Sequence, residues 1–395
     1  MNMDQIILPT GDRLTREDKA IVVRFSGARR LISTSVLNGG CRSDLSCLFN
    51  YCEVYGKADE QCTMRADTYE AHLRLLAKEL GLNPLYATGL STAAKMKYAQ
   101  VKSESHKDFS VTVIATGGID VNGSRAGDPA LWHEHNGKPV PYEPGTINLL
   151  VFIGAKLKEA ALTRAMVTVT EAKTAALQEL LAPSCYSHGL ATGSGTDGTI
   201  IVSNSEAPVT LTDAGQHSKL GEYIGRVVKN TVKAGLTAEN GFFSYACNSV
   251  IRRVSRFGIT EDDLWGKCSS LQNHFYINRD DFNYRFKILD KDQSLMALAA
   301  VYAHILDLLD WDLINNRDAL QMVRDLLYGN SASLSDIIKP GEIKTYSTGD
   351  YKLEPFQFLS VIENKALHHL SAQEMITKLA ACFSWFLVFR LTNDF

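Results

Sequence analysis

A change in glycine content and apolar pattern near residue 238 is the feature that most constrains the fold of this 395-residue chain. Before it, glycines are frequent and short β-branched runs alternate with amphipathic segments; after it, runs such as 293–309 and 372–391 are long, amphipathic and poor in glycine. Short apolar runs bounded by glycine indicate strands, and long runs with a 3.6-residue period indicate helices. We therefore predict an α+β domain over residues 20–237 and a mainly α-helical domain over 238–395. Residues 1–19, which are largely polar, are interpreted as an N-terminal extension.

The first domain is predicted to have a mixed β-sheet core with flanking helices and glycine-rich loops. The run 147–153 is almost continuously apolar, which is typical of a strand buried on both faces. At 164–170, Val167 and Val169 alternate with threonines, and this period of two predicts a further strand. The other predicted strands are 21–25, 31–36, 109–115 and 199–202, and the predicted helices are 67–80, 171–181 and 219–233.

Composition and charge exclude several classes of protein. The formal net charge of −3 gives no global attraction to nucleic acid. The N-terminus lacks a basic segment followed by an apolar one, and the long chain has eight cysteines without such a signal, so a reduced, cytoplasmic protein is expected. The apolar run 379–388 is shorter than the roughly 20 residues that span a bilayer, which predicts a buried helix and no membrane contact.

No metal or nucleotide signature is complete. Cys41, Cys47, Cys52 and Cys62 match no zinc or iron–sulfur spacing, and the pair His133 and His135 has no evident third ligand, so no metal site is predicted. Residues 193–198 satisfy G-x-G-x-x-G, but a predicted strand follows where a dinucleotide-binding loop requires a helix. A glycine-rich turn is the better interpretation.

Polar residues next to predicted strands are the candidate site residues. Asn122, Arg125 and Asp128 lie in a loop after the strand at 109–115, where they either bind a ligand or form an ordinary exposed loop. Thr146 and Asn148 share one face at the start of the strand at 147–153. They serve either as structural ties or as site donors, because buried polar groups require partners.

The junction between the predicted strand 164–170 and helix 171–181 offers charged candidates. Thr170 fits an N-cap and Glu171 suits the first helical turn, which is a sufficient structural explanation; the functional alternative makes Glu171 a general base with Lys173 as a nearby cation. His217 precedes the helix at 219–233 and is a further candidate because histidine titrates near neutral pH.

The turn at 193–198 completes the set of candidates. Glycines allow the backbone N–H groups of Gly193 and Gly195 to approach a ligand, and the turn presents Thr196 and Asp197 at its tip. The alternative is a tight turn that binds no ligand.

Taken in order, these segments resemble the adenosylcobinamide amidohydrolase family over about 20–236. The matching stretches are STSVLNGG at 33–40, NGSRAGDP at 122–129, GTIN at 145–148, TEAKTAAL at 170–177, ATGSGTD at 191–197 and HSKLGEYIG at 217–225. The family's loop usually reads ATGTGTD, so Ser194 departs from it while keeping a hydroxyl.

The resemblance implies hydrolysis of the amide between the corrin ring and the aminopropanol arm of adenosylcobinamide. The products are adenosylcobyric acid and aminopropanol, in salvage of cobinamide for cobalamin biosynthesis. The corrinoid is thus the expected small-molecule partner, its cobalt arrives with the substrate, and no resident cofactor is expected; a requirement for a divalent ion stays open. The resemblance gives no catalytic assignment and does not cover residues 238–395.

Amide hydrolysis requires an activated nucleophile, donors for the oxyanion and an acid for the departing amine. Our hypothesis is that Glu171 or His217 activates water or the Thr146 hydroxyl. The oxyanion is assigned to the backbone N–H groups of Gly193 and Gly195 with Asn148, and substrate orientation to Arg125 and Asp197. Two alternatives stay open: a non-catalytic corrinoid carrier or sensor, and a nucleotide-dependent transferase.

Overall fold

The computed structural model of the protein describes residues 4–53, 64–130, 146–240, 248–271, 277–328 and 370–393. His133 and His135, like Cys62, lie outside these ranges. The chain divides into two compact units, Met1–Phe243 and Ser244–Phe395. The predicted α+β class is confirmed, with mixed sheets and helices in the first unit and helices in the described part of the second.

Two sheets form the centre of the first unit. The first sheet has the order β1-β2-β3-β6-β7, and the second has the order β5-β4-β14-β11-β9-β8. The strands of the first are β1 (Asp4–Ile7), β2 (Arg13–Arg16), β3 (Ala20–Arg24), β6 (Cys47–Cys52) and β7 (Ala87–Thr92). Those of the second are β4 (Arg29–Ser33), β5 (Gly40–Arg42), β8 (Gln100–His106), β9 (Phe109–Gly118), β11 (Thr146–Ile153) and β14 (Gly198–Asn204).

Short two-residue strands form two further pairs. β10 (Gly123–Ser124) pairs with β13 (Gly193–Ser194), and β12 (Lys156–Leu157) pairs with β15 (Thr210–Leu211). The helices of this unit are α1 (Tyr69–Glu79), α2 (Glu159–Glu179) and α3 (Lys219–Asn240).

The unit is layered because the main strands carry apolar residues on both faces. Ile21, Leu48 and Leu150 belong to one core cluster that contains residues of both sheets. On the other face of the first sheet, Phe49 packs with Leu73 and Leu76 of α1. On the other face of the second sheet, strands β9, β11 and β14 share a core cluster with α2 and α3. The fully buried β11 agrees with the strand predicted at 147–153.

The strand predicted at 164–170 is wrong, because these residues lie within α2. Thr170 is therefore not an N-cap; its hydroxyl donates to the carbonyl of Met166, one turn earlier in the same helix. The local alternation of valine and threonine concealed a longer helical pattern, in which the buried residues include Leu162, Ala165, Val169, Ala172 and Ala176. Packing of this face on the sheet overrides the low helix propensity of β-branched residues.

The N-terminal segment is part of the first sheet. β2 pairs with β3 from Arg13↔Arg24 to Arg16↔Ile21, and β1 pairs with β2. The sequence assigned residues 1–19 to an extension because they are polar. Leu8 and Leu14 are nevertheless buried in the core between the sheets, so the described part of this segment is integral to the domain.

The second unit contains six described α-helices. They are α4 (Val250–Val254), α5 (Glu261–Ser270), α6 (Arg279–Leu289), α7 (Gln293–Asp310), α8 (Asn316–Tyr328) and α9 (Ala372–Asn393). Tyr302 of α7 lies against Phe383 of α9, with ring centroids 4.3 Å apart, and its hydroxyl donates a 2.7 Å hydrogen bond to the carbonyl of Leu379. Residues Ala372–Thr392 are long and apolar enough to cross a membrane by length and composition. Leu379, Phe383 and Leu387 in this stretch are fully buried in the helical core.

Candidate active site

The candidate site lies at one edge of the second sheet. β11 and β14 run parallel with Asn148 opposite Gly198, so both strands begin at this edge. β9 runs antiparallel to β11 and ends there, with Gly118 opposite Thr146. The turn at 193–197 and the loop at 119–128 therefore meet where three strands begin or end.

Asp197 is the centre of this edge. Its Oδ1 accepts a 3.0 Å hydrogen bond from the backbone N–H of Ile147 and a 2.6 Å hydrogen bond from the hydroxyl of Ser194. Its Oδ2 forms an ion pair with the ammonium of Lys173 on α2. The side chains of Lys173 and Asp197 are each 11% exposed, so the pair is largely shielded but still reaches solvent.

Gly193 allows the ion pair to form. A Cβ at this position would lie 2.4 Å from Asp197 Oδ2 and 2.9 Å from Lys173 Nζ, which is too close for either atom. A Cβ at Gly195 would meet no atom within 4 Å. The two glycines of the turn therefore differ: Gly193 makes room for the charged pair, while Gly195 faces open space.

Three hydroxyl groups adjoin the charged pair. Thr146 Oγ1 lies 2.7 Å from Thr196 Oγ1, and Thr196 Oγ1 lies 3.5 Å from Ser194 Oγ. Thr146 is only 2% exposed, whereas Ser194 and Thr196 are half-buried. Burial of Thr146 therefore argues against its predicted role as an attacking hydroxyl. The hydroxyls of Ser194 and Thr196 are more accessible. We refer to Lys173, Asp197, Ser194, Thr196 and Thr146 as the Asp197 cluster.

Asn148 has no unused N–H for an oxyanion, the role predicted for it from the sequence. Its Nδ2 donates to Asn50 Oδ1 at 2.8 Å and to the carbonyl of Ser91 at 2.9 Å, which uses both hydrogens of the amide. Its Oδ1 accepts from the N–H of Gly198. Asn148 is therefore a buried tie between the two sheets. The Nδ2 of Asn50 extends this tie to Thr116 Oγ1.

The loop carrying Asn122, Arg125 and Asp128 lies beside the turn at 193–197. β10 pairs with β13, and the N–H of Ala126 donates a 2.9 Å hydrogen bond to Thr192 Oγ1. Asn122 is buried in this loop. The guanidinium of Arg125 donates to the carbonyl of Leu190 at 3.3 Å, so this side chain contacts the loop that precedes the turn at 193–197.

Asp128 fixes the conformation of the same loop. Its Oδ2 accepts a 2.6 Å hydrogen bond from Ser184 Oγ and a 2.7 Å hydrogen bond from the N–H of Arg125. Partial burial works to raise the pKa of Asp128. The hydrogen bonds from Ser184, Ser187 and the Arg125 backbone, with the charge of Arg125, outweigh that effect, so the net pKa lies below its ordinary value.

Glu171 and His217 belong to a different part of the surface. The exposed Glu171 accepts a 2.6 Å hydrogen bond from the side chain of Gln216, the residue before the exposed His217. Residues two apart on a helix point about 200° from each other, so Glu171 faces away from Lys173. No hydrogen bond between described residues joins Glu171 or His217 to the Asp197 cluster. The structure therefore separates these two candidates from the other catalytic ones.

Comparison with protein families assigns this domain. The sequence profile of the adenosylcobinamide amidohydrolase family matches residues 6–243, more than half of the chain. The chain belongs to the adenosylcobinamide amidohydrolase family. The matched segment contains every residue of the Asp197 cluster. It also begins within the first described strand, in agreement with the structural role of the N-terminal segment.

Two curated relatives and one solved structure are similar to parts of the chain. An uncharacterized protein of Methanocaldococcus jannaschii is 30% identical over 244 residues, which are 58% of this chain and 90% of the relative. An adenosylcobinamide amidohydrolase of Methanosarcina mazei is 28% identical over 228 residues, 56% of this chain and 95% of the relative. A crystal structure of a Pyrococcus horikoshii protein covers 60% of this chain and 83% of its own, with 11% identity. Its TM-score of 0.32 is too low to support a functional comparison.

Sequence reasoning missed several polar residues in the family domain. Ser194 was noted only as a departure from the family loop, although its hydroxyl lies beside Asp197. Asn50 lies within the otherwise apolar run of β6, where an isolated amide was a usable signal of a buried tie. The buried pair Glu53 and His72 was not predicted. His72 Nε2 lies 2.6 Å from Glu53 Oε1, and its Nδ1 accepts from the N–H of Arg65, so both ring nitrogens have structural partners.

Metal ligands do not cluster in the described part of the chain. Among those residues, no group of three or more His, Cys, Asp or Glu side chains has a geometry that could hold an ion.

Proposed function

We propose that the family domain hydrolyses the amide joining the aminopropanol arm to the corrin ring of adenosylcobinamide. The products are adenosylcobyric acid and aminopropanol, so the reaction serves cobinamide salvage for cobalamin biosynthesis. Membership of the family supports the substrate class. The observation that supports amide hydrolysis is the Lys173–Asp197 pair, which lies in contact with hydroxyl groups at an accessible sheet edge.

The Asp197 cluster contains the groups that amide hydrolysis requires. A carboxylate with a hydroxyl on one oxygen and an ammonium on the other provides a proton acceptor, a nucleophile and a positive charge that holds the carboxylate in place. The pair is largely shielded from solvent, which strengthens the attraction between its two charges. A large corrinoid does not need to enter the fold, because only its amide arm must reach the edge.

The proposal requires no resident cofactor. The cobalt of the substrate enters and leaves with the corrin ring. The reaction as written breaks a carbon–nitrogen bond and adds water, without a change of oxidation state. Repeating the assay after exhaustive treatment with a chelator, with and without added divalent ions, decides whether an ion assists.

Incubation of the full chain with adenosylcobinamide tests the proposal. Mass spectrometry of the mixture is expected to show aminopropanol together with a corrinoid carboxylic acid in equal amounts. Tight binding of the corrinoid without either product would instead favour the carrier or sensor. Product formation only with added nucleotide and magnesium would favour the transferase.

A further inference from the structure

We infer that Ser194 is the nucleophile of the amide hydrolysis, with Asp197 as its base and Lys173 as a positioning residue. This inference rests on the proposed function. It starts from the geometry of three neighbouring hydroxyls. Thr146 is buried and its Oγ1 lies 2.7 Å from Thr196 Oγ1, whereas Ser194 is half-buried and donates a 2.6 Å hydrogen bond to Asp197 Oδ1. A nucleophile has to combine access to the substrate with contact to a base.

The covalent step balances without an external reagent. Ser194 Oγ attacks the amide carbon while its proton moves to Asp197 Oδ1. The tetrahedral intermediate then collapses, the carbon–nitrogen bond breaks, and Asp197 returns the proton to the departing amine. A water molecule then attacks the resulting ester and gives a proton to the same carboxylate. The bond between the acyl carbon and Ser194 Oγ breaks, and Asp197 returns that proton to Oγ, which releases the corrinoid acid and restores the serine.

Lys173 acts through Asp197 in this scheme. Its ammonium holds Oδ2, so Oδ1 is directed at Ser194 and at the N–H of Ile147. Gly193 preserves this arrangement, because any side chain there would displace the pair. The backbone N–H of Thr196 donates to Ser194 Oγ at 3.3 Å, which gives this oxygen a further hydrogen-bond partner.

Trapping of an acyl-enzyme tests the inference. The wild-type full chain is mixed with adenosylcobinamide, quenched in acid and examined by intact and peptide mass spectrometry. We expect a corrinoid acyl group on the peptide that contains Ser194. Hydroxylamine added during turnover is expected to divert the product to a corrinoid hydroxamate. Absence of both the adduct and the hydroxamate in an active wild-type enzyme would overturn the covalent role.

Variants provide the second arm. Ser194→Ala is expected to lower aminopropanol release by at least about 10³-fold and to abolish the adduct, while the protein still binds the corrinoid. Ser103→Ala, at an exposed residue of β8 whose hydroxyl contacts Thr112 Oγ1, is the matched control and is expected to turn over the substrate as wild type does. Retention of more than a tenth of wild-type turnover by Ser194→Ala would overturn the inference. An adduct on Thr196 would also overturn it.

Two variants with different expected activities test the role of Lys173. Lys173→Met is expected to lower kcat and to change the pH profile of kcat, with little change in KM, and Lys173→Arg is expected to restore part of the loss. An equal loss in both variants with an unchanged pH profile would assign Lys173 a purely structural role.

A wild-type chain without any amide cleavage would refute the proposed function itself, and the inference with it. The Ser194 variants refute only the inference.

Discussion

The Ser194 hydroxyl donates a 2.6 Å hydrogen bond to Oδ1 of Asp197, three residues further along the turn. The same carboxylate pairs through Oδ2 with Lys173, which lies on α2, and so links the turn to the helix that covers the second sheet. A serine, a carboxylate and an ammonium are thereby connected at one sheet edge.

Asp197→Asn and Glu171→Gln distinguish the two candidate bases. Asp197→Asn removes the base and the partner of Lys173, so we expect turnover to fall at least about 10²-fold. Glu171→Gln changes an exposed hydrogen bond to Gln216, so we expect less than about a threefold effect. Initial rates of aminopropanol release under saturating substrate measure both. A larger loss in Glu171→Gln than in Asp197→Asn would restore the base predicted from the sequence.

Gly193→Ala and Gly195→Ala test the packing of the turn. The first places a methyl group 2.4 Å from Asp197 Oδ2, and the resulting displacement is expected to cost about 1–3 kcal/mol locally and most of the activity. The second meets no atom within 4 Å, so we expect folding to be preserved. Hydrogen exchange of peptides that cover β11 and β14, together with turnover, checks the contrast. Similar behaviour of the two variants would refute the steric role of Gly193.

Asn148→Ala tests the assignment of Asn148 as a structural tie. The change leaves the N–H of Gly198, the carbonyl of Ser91 and the amide of Asn50 without this partner, which is expected to destabilise the domain by at least about 2 kcal/mol. Asn83→Ala, at an exposed asparagine, is the matched control. Hydrogen exchange of β11 measures the local free energy of opening. Wild-type exchange combined with strongly reduced kcat would instead support the oxyanion role.

The buried pair Arg29 and Asp12 is predicted to stabilise the start of the domain. Their side chains are 1% and 0% exposed, and the guanidinium also donates to Thr10 and Asn204. Asp12→Ala leaves a buried charge, so we expect a loss of about 3–5 kcal/mol. Asp44→Asn breaks the exposed pair with Arg42 and should leave stability unchanged. Hydrogen exchange of β2 to β4 in the full chain tests this contrast, and equal exchange in the two variants would contradict it.

The loop at 122–128 is predicted to loosen in acid. Because the folded pKa of Asp128 lies below 3.8, its hydrogen bonds contribute stability above that value, and this contribution disappears as pH falls through the folded pKa. Ser184→Ala removes one donor, so we expect the pKa of Asp128 to rise toward 3.8. A carboxyl NMR titration measures the shift. An unchanged Asp128 titration in Ser184→Ala would show that this hydrogen bond does not set the pKa.

Individual residues show which features of the fold and of the candidate site the sequence predicts and which it does not. The apolar run at 147–153 predicted a buried strand, because a continuous apolar run needs cover on both faces. The alternation at 164–170 failed, because a period of two over seven residues is shorter than the helical pattern that contains it. Lys173 and Asp197 were each chosen from the sequence as candidates. Their contact depends on α2 lying against the turn, which no local pattern encodes.

The role of Asn148 shows the same limit for a single residue. Its position at the start of a buried strand left a structural tie and a site donor equally open. The partners that decide between them, Asn50 and Ser91, are distant in sequence and belong to the other sheet. Long-range hydrogen bonds of this kind follow from the packing of the sheets, so only the three-dimensional structure resolves them.

The product analysis of wild type and Asp197→Asn with adenosylcobinamide tests the central claim most directly. We predict that the wild-type chain releases aminopropanol and a corrinoid carboxylic acid in equal amounts. We predict that Asp197→Asn, folded by circular dichroism and still able to bind the corrinoid, releases neither at a comparable rate. Intact adenosylcobinamide recovered from a folded, corrinoid-bound wild-type protein would contradict the account.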